Sequence, residues 1–397
     1  MATDCFLDLH EPTPTVYLDQ WVWIRLARAA NGSPREASDV DALAAVRDAS
    51  AAGVVFPLSH THYFETSKIT DPRQRFDLAR IMASVSHGRT LRSGQVLMRH
   101  QVLHAMYECF GRPTFRPKRP QVLGFGAMWA VTGEHAPLAL YGPAGKINVD
   151  ASPELQSWLR QANQYAEFQV LAGPRDEEIS ELRAKYGYQP ETALQSARSR
   201  LEWESTYSQL LASDPVSRPE LRVRVQAREM MHEHSQLLTE LLAEYRLDLH
   251  RAVGLDPTKP ESGRKKMVAF ADRIASVRIA VDLKSELFRN PARPWKLSAL
   301  HDIDALSLAV PYCHVVVPDA DMADLLSRSD AGQRSGTRIV KQLRDLPSEL
   351  QTLRSRSDFE MTSTCVPDGY DPAAEFCTDM DLLHRTAPWK TGSAASP

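Results

Sequence analysis

Acidic residues stand directly after two segments whose composition predicts β-strands. Asp19 follows the stretch TVYL, and Asp319 follows HVVVP near the other end of the chain. In an open parallel α/β sheet, ligands bind beyond the carboxyl ends of the strands. We therefore expect Asp19 and Asp319 to lie at the same edge of one sheet.

Three further acids are expected near that edge. Glu65 lies six residues after the predicted strand GVVFPLS, in the first two turns of the helix that follows. Asp302 and Asp304 fall in the first turn of the helix predicted for HDIDALSLAVPY, which leads into HVVVPD. Taken singly, each acid has an ordinary explanation, since turns, helix caps and solvated helix faces commonly carry Asp or Glu. Together they would bring carboxylates from four elements to one rim.

Carboxylates held close together repel one another, so such a cluster is unfavourable without a cation. Mg²⁺ or Mn²⁺ relieves the repulsion, because both ions prefer oxygen ligands. A metal held in this way activates water and stabilises the attacking and leaving oxygens of an in-line displacement at phosphorus. The acids therefore indicate metal-dependent cleavage of a phosphodiester.

The elements that must position these acids alternate as expected for an α/β fold. The first block is predicted as strand 15–20, helices 21–30 and 36–51, strand 53–59, and helices 61–69 and 73–84. The last block is predicted as helix 301–312, strand 314–319, a short helix 320–329 and strand 337–343. Parallel strands joined by helices are the expected result.

The segment between these blocks, 91–296, has long helical patterns and almost no strand signal. Residues 191–211 and 220–247 are predicted as two charged, Leu- and Ala-rich helices separated by Asp214 and Pro215. Residues 110–121 are predicted as a basic, proline-rich loop.

Four segments, VYLDQW, HYFETSK, DIDALSLAVPYCHVVVPD and TRIVKQL, together resemble the PIN domain. This is the fold of many metal-dependent ribonucleases, including toxins of toxin–antitoxin pairs. The resemblance implies a three-layer α/β/α domain with a central parallel sheet. That domain would be discontinuous, comprising 14–90 and 297–350, with 91–296 as a mainly helical insertion. Residues 351–397 are expected to form a mobile tail.

Carried over by position, the resemblance implies that Asp19, Glu65, Asp304 and Asp319 are the catalytic metal ligands. Asp302 and Asp321 are second choices for the third and fourth positions. The chain departs from the family pattern at Gln20, where Asn is common, and at Pro318, where Thr or Ser is common. Neither departure removes a carboxylate. The implied reaction is Mg²⁺- or Mn²⁺-dependent hydrolysis that leaves a 5′-phosphate and a 3′-hydroxyl.

Three basic residues just before the acidic helix, Arg289, Arg293 and Lys296, are the expected contacts to the RNA backbone. Basic runs of this kind are more often solvated surface. Two histidines, His60 and His62, stand at the start of the helix that carries Glu65, and we expect structural or exposed roles for both.

Composition limits the remaining possibilities. The net charge of -3 over 397 residues shows no global basic footprint for nucleic acid. The five cysteines form no C-x-x-C pair, which argues against structural zinc and a disulfide framework. The sequence has no apolar run typical of a transmembrane helix and begins without a signal-peptide pattern, so we expect a cytoplasmic protein without a membrane partner.

Two other functions fit the same pattern. One is a catalytically weak PIN-like scaffold whose helical insertion binds a regulatory protein or forms a homo-oligomer. The other is a nuclease of the same fold that cleaves DNA. By analogy alone, a role in a toxin–antitoxin or phage-defence system follows from the resemblance.

Overall fold

The computed structural model describes residues 9–143, 145–146, 152–254, 256, 258–290, 293–355 and 385–387. These residues form a mixed, mainly helical α/β structure with a small parallel sheet. The α/β class predicted from the sequence is therefore confirmed, while the three-layer PIN-like architecture stays a prediction.

The described residues include short strands and mostly longer helices. The strands are β1 (Val16–Leu18), β2 (Arg89–Leu91), β3 (Leu123–Phe125), β4 (Tyr141–Gly142), β5 (Gly145–Lys146), β6 (Val315–Val317) and β7 (Arg338–Ile339). The helices are α1 (Gln20–Ala30), α2 (Ser38–Ala51), α3 (His60–Ser67), α4 (Pro72–Ser86), α5 (Gly94–Phe110), α6 (Gly126–Thr132), α7 (Pro153–Ala172), α8 (Asp176–Tyr186), α9 (Pro190–Ser213), α10 (Arg218–His232), α11 (Ser235–Glu244), α12 (Leu249–Val253), α13 (Pro260–Asp272), α14 (Ala275–Phe288), α15 (Leu297–Tyr312), α16 (Ala320–Arg328), α17 (Ala331–Ser335) and α18 (Leu346–Arg354). A 3-10 turn, Leu343–Asp345, precedes α18.

The chain divides into two compact units. The unit that contains Asp19, called the Asp19 unit, comprises the described residues of Pro12–Ser93, Val122–Gly187 and Gln342–Pro397. The unit that contains Asp304, called the Asp304 unit, comprises those of Met1–Glu11, Gly94–Gln121 and Tyr188–Lys341. These divisions fall at different places from the predicted boundaries 14–90, 91–296 and 297–350, which stay a prediction.

Parallel pairing in the Asp19 unit involves the predicted strand 53–59. The amide of Val16 donates to the carbonyl of Val55 at 2.8 Å, and the amide of Leu58 donates to the carbonyl of Arg89 at 2.9 Å. The segment pairs with the β1 side through one isolated parallel bridge and with β2 through another. It therefore lies between β1 and β2, although its pairing is too sparse to form a regular strand.

The helices predicted for the first block are confirmed as α1 to α4. In α1, the apolar positions Val22, Trp23 and Leu26 are buried, as the helical spacing predicts. This helix packs against α2 and α4, and α4 also packs against α7. The buried face of α1 fixes the direction of its first residues, which follow Asp19.

The Asp304 unit is built around α14, which packs against α10 and α15. From Ala275 to Phe288, every residue of α14 except Arg278 is buried. Strands β6 and β7 pair in parallel, with Val315 opposite Arg338. The predicted strand 337–343 is thus confirmed but shorter, and the predicted strand 314–319 is confirmed as β6.

Two helix predictions in this unit need correction. Helix α15 begins at Leu297, four residues before His301, so Asp302 and Asp304 lie beyond its first turn. The predicted helix 220–247 is divided into α10 and α11, because the backbone leaves the helical conformation at His234. The predicted helix 191–211 is confirmed as α9.

The segments outside these blocks are described in part. Within 91–296 the described residues are mainly helical, as predicted, but they also include β3, β4 and β5. Residues 351–354 belong to α18, whereas most of the expected mobile tail, 351–397, lies outside the described residues.

Among the helices in the described part of the chain, none has both the length and the apolarity needed to cross a membrane.

Candidate functional site

The structure brings two of the predicted acids, Asp19 and Glu65, near one buried hydroxyl. Asp19 ends β1 and caps α1, where its carboxylate accepts from the amide of Gln20 at 2.7 Å. Glu65 lies in α3 and is half-buried. Burial, followed by the negative charges of Asp19 and then Glu65, raises the pKa of Tyr17. Leu18 and Gln20, the neighbours of Asp19, hydrogen-bond to His62 and Thr66 of the helix that carries Glu65, so the two acids lie on directly connected elements.

A buried histidine fixes the spacing between the elements that carry these acids. His62 Nε2 donates to the carbonyl of Leu18 at 2.9 Å, and its Nδ1 accepts from the amide of Ser59 at 2.9 Å. This pair of bonds defines the Nε2–H tautomer. Burial lowers the pKa of His62 to about 3, so the ring is neutral at physiological pH. The end of β1 is therefore tied to the start of α3, and the structural role expected for His62 is confirmed.

A second tie involves the residue that departs from the family pattern. Gln20 donates from its side-chain amide to the hydroxyl of Thr66 at 3.0 Å. Thr66 is the neighbour of Glu65, and Gln20 is the neighbour of Asp19. The longer side chain of Gln20 thus bridges α1 and α3 directly beside both acids.

Glu65 is a partly buried carboxylate, and its charged form is less well solvated there than in water. Burial raises the pKa of Glu65, and the positive charge of Lys68 opposes that rise. Lys68 lies with its ammonium 4.1 Å from the centre of the Phe64 ring. A carboxylate with a raised pKa in a partly buried position is a common feature of functional sites.

Asp304 is bound by Arg200, an arginine in the charged helix α9. Arg200, on α9, donates from Nη1 and Nη2 to the two carboxylate oxygens of Asp304 at 2.7 and 2.9 Å. Its Nε donates to Glu233 at 3.1 Å. Burial lowers the pKa of Arg200, but the hydrogen bonds and charge of Asp304 outweigh this effect and raise it. In this conformation Asp304 is one half of a two-pronged ion pair.

The other acids of the Asp304 unit have individual placements. Asp319 caps α16, accepting from the amide of Met322 at 2.7 Å. Asp321 is exposed and pairs with Arg293 at 2.7 Å. Asp302 is half-buried on α15.

Two of the three predicted RNA contacts are bound to acids of their own unit. Arg289 pairs with Glu286 at 2.7 Å, and Arg293 pairs with Asp321. Lys296 is exposed at the start of α15. Each of these side chains is at least partly accessible, so the prediction that they contact a phosphate backbone remains open to test.

Only some of the carboxylates predicted to form the metal site have oxygen atoms placed to bind a metal ion. Asp19 and Glu65 offer the oxygen donors that Mg²⁺ and Mn²⁺ prefer. Asp304 has both carboxylate oxygens engaged by Arg200. Among the residues that the structure describes, no group of three or more His, Cys, Asp or Glu side chains is arranged to hold a metal ion. Within the Asp19 unit, Asp19 and Glu65 lie on elements that His62 and Gln20 join by hydrogen bonds.

Arg200 and His62 differ in how well the sequence could reveal their roles. His62 stands three residues after Ser59, and this spacing places its ring against the first turn of α3. Arg200 lies 104 residues before Asp304 in a helix with many charged residues, so no local pattern marks it.

The comparisons with known proteins yield no relative: no protein-family model, curated protein or solved structure matches this chain.

Proposed function

We propose that this chain is a metal-dependent endonuclease that hydrolyses phosphodiester bonds in RNA. The observation that carries the proposal is the pair of hydrogen bonds, His62 to the carbonyl of Leu18 and Gln20 to Thr66, that joins the chain beside Asp19 to the helix that carries Glu65. Two like charges in one partly buried neighbourhood are unfavourable for the folded chain alone, and a cation would relieve them. The sequence resemblance to PIN-domain ribonucleases supports the same reaction.

Asp19 and Glu65 would hold Mg²⁺ or Mn²⁺ in the proposed site. The bound metal would supply an activated water and stabilise charge on the phosphate oxygens during in-line displacement. His62 and Gln20 would keep the two carboxylates at a fixed spacing. Asp304 and Asp319 belong to the Asp304 unit, and their part in metal binding remains a sequence-based prediction, as do the second choices Asp302 and Asp321.

The experiment that tests this function is cleavage of end-labelled RNA and DNA of one sequence in Mg²⁺ or Mn²⁺. The wild type should cut RNA and leave 5′-phosphates, and Asp19→Asn should abolish cutting. Asp41→Asn is the matched control, because Asp41 is an exposed acid of the same unit on α2. Cutting of DNA alone would reassign the substrate. Cutting that survives in Asp19→Asn would exclude the proposed site.

A second candidate function is a PIN-like scaffold with little metal binding. The ion pairs Arg200–Asp304 and Arg293–Asp321 favour it, because each neutralises an acid of the predicted set. Such a protein would use its helices to bind a regulatory protein or a second copy of the chain. Titration with Mn²⁺ while following the melting temperature distinguishes the two: a scaffold gives no stabilisation at millimolar metal.

A further inference from the structure

A basic, proline-rich loop of the Asp304 unit combines exposed cations with an exposed aromatic ring. Residues 110–121 contain three arginines and one lysine but no aspartate or glutamate, in a chain whose net charge is -3. Phe115 stands among these cations and leaves 54% of its surface exposed. The loop is therefore a local positive surface that also carries an aromatic ring.

Two buried prolines and one arginine fix this loop to its unit. Pro113 and Pro117 are buried, and the pyrrolidine ring restricts the backbone at both positions. Arg119 donates to the carbonyl of Leu9 at 2.6 Å and pairs with Glu11 at 3.1 Å. A loop held at several points loses little conformational freedom when a ligand binds, so less binding energy is spent on ordering it.

The other three cations of the loop are available to anions. The side chains of Arg112 and Lys118 are exposed, and neither forms a hydrogen bond or ion pair with any residue that the structure describes. Arg116 lies 3.5 Å from Glu108, but its side chain is 71% exposed. An exposed pair of this kind contributes little net stability, so a phosphate can compete for Arg116. Arginine suits that ligand, because its guanidinium donates two parallel hydrogen bonds to phosphate oxygens.

The ring of Phe115 is oriented by a neighbour without being covered. It packs against Tyr245, with the ring centres 6.2 Å apart and the ring planes inclined at 61°. Tyr245 is itself partly buried against the apolar core of the unit. An exposed aromatic ring among cations offers a stacking surface to an unpaired base, whereas the bases of a duplex are already stacked on one another. The combination fits a single-stranded polynucleotide.

We propose that loop 110–121 binds single-stranded RNA: Arg112, Arg116 and Lys118 bind backbone phosphates, and Phe115 stacks on an unpaired base. The choice of RNA over single-stranded DNA rests on the proposed function, since both polymers offer phosphates and unpaired bases. The surface lies wholly within the Asp304 unit. It holds RNA and takes no part in cutting it.

The phosphate contacts are tested by fluorescence anisotropy of a labelled, unpaired RNA of about ten nucleotides, titrated with the full chain in EDTA. Arg112→Gln/Lys118→Gln should make the plot of log Kd against log salt concentration shallower by about 1.4, because each single-strand phosphate contact contributes about 0.7. Arg251→Gln/Lys265→Gln is the matched control, because it removes the same charge at two exposed positions of the same unit. Its slope should equal that of the wild type.

The stacking contact is tested in the same assay by two substitutions of one exposed side chain. Phe115→Leu removes the aromatic ring and should weaken binding of the single-stranded RNA about tenfold, without changing the salt dependence. Phe115→Tyr keeps the ring and should bind like the wild type. Neither substitution should alter the affinity for duplex RNA of the same sequence, whose bases are already stacked.

Three outcomes would overturn the RNA-binding surface. Equal salt dependence in the wild type and Arg112→Gln/Lys118→Gln would exclude the phosphate contacts. Equal affinities of Phe115→Leu and Phe115→Tyr would exclude the stacked base. Tighter binding of single-stranded DNA than of RNA of the same sequence would overturn the assignment to RNA.

Failure of this surface is distinguishable from failure of the proposed nuclease, because EDTA separates binding from metal-dependent cleavage. Cleavage of RNA in Mn²⁺ by a chain whose RNA affinity is unchanged by the loop substitutions would leave the nuclease standing and overturn the surface. Loop-dependent RNA binding by a chain that cuts nothing in Mn²⁺ would support the surface and overturn the nuclease.

Discussion

His62 and Leu18 are joined by a buried hydrogen bond of 2.9 Å between the imidazole Nε2 and the backbone carbonyl. Leu18 precedes Asp19, and His62 lies in the same short helix as Glu65. The bond therefore connects the two elements that carry the converging acids. Because His62 also accepts from the amide of Ser59, one side chain satisfies two buried backbone groups.

Removal of the His62 ring should destabilise the protein strongly. His62→Ala leaves the carbonyl of Leu18 and the amide of Ser59 without their partner in a buried site, which should cost about 2–4 kcal/mol. His250→Ala, at an exposed position, is the control. Urea unfolding would measure both variants, and a loss for His62→Ala no larger than that of the control would refute the structural role.

The free energy of unfolding should decrease as the pH falls, because His62 is buried in its neutral form. Burial lowers the pKa of His62 from 6.5 in the unfolded chain to about 3 in the folded one. The unfolded state therefore takes up a proton first, and the contribution of His62 is lost as the pH falls from 6.5 towards 3.

The pH effect is isolated by comparison with His62→Gln, since other buried histidines also titrate. The difference in unfolding free energy between wild type and His62→Gln should shrink by about 1.4 kcal/mol per pH unit across this range. A difference that stays constant from pH 6.5 to 4 would show that the ring is accessible to protons in the folded protein.

Glu65→Gln should separate stability from metal binding. Because burial raises the pKa of Glu65, its charged form is unfavourable in the metal-free fold, and the neutral amide should raise the melting temperature at pH 7. The same variant should lose the stabilisation that millimolar Mn²⁺ gives the wild type. Asp41→Asn should change neither property. A lower melting temperature for metal-free Glu65→Gln would show that the carboxylate is structural.

A buried charge cluster in the Asp304 unit should behave as one group. Lys284 is 3% exposed and binds Glu204 at 2.8 Å and Glu229 at 2.7 Å. Lys284→Met leaves these carboxylates without that cation and should cost about 3–5 kcal/mol. The triple variant Lys284→Met/Glu204→Gln/Glu229→Gln should recover most of the loss, as thermal unfolding would show. Failure to recover would indicate that Lys284 acts through packing rather than charge.

The sequence predicts those parts of the fold that depend on local periodicity. The apolar spacing of α1 and the acid-capped start of α16 identify both helices, and the β-forming run at 315–317 identifies β6. The break between α10 and α11 escapes prediction, because no proline or glycine near His234 marks a helix end. The late start predicted for α15 has a similar cause, since Leu297–Leu300 lies between polar and apolar patterns.

The sequence predicts only part of the candidate site, because the contacts that position its acids join residues far apart along the chain. A strand end identifies Asp19, and the helix after the next strand-like segment identifies Glu65. Their spacing depends on His62 and Gln20, whose partners are 44 and 46 residues away along the chain. The Arg200–Asp304 pair spans 104 residues, so only the folded chain reveals which charge neutralises Asp304.

Metal binding by Asp19 and Glu65 is tested most directly by a crystal structure of the protein soaked in millimolar Mn²⁺, with anomalous data. We predict a manganese peak roughly 2.2 Å from carboxylate oxygens of both Asp19 and Glu65. No such peak should appear in Asp19→Asn crystals treated in the same way. A fully soaked wild-type crystal without manganese at these two carboxylates would show that Asp19 and Glu65 do not form a metal site.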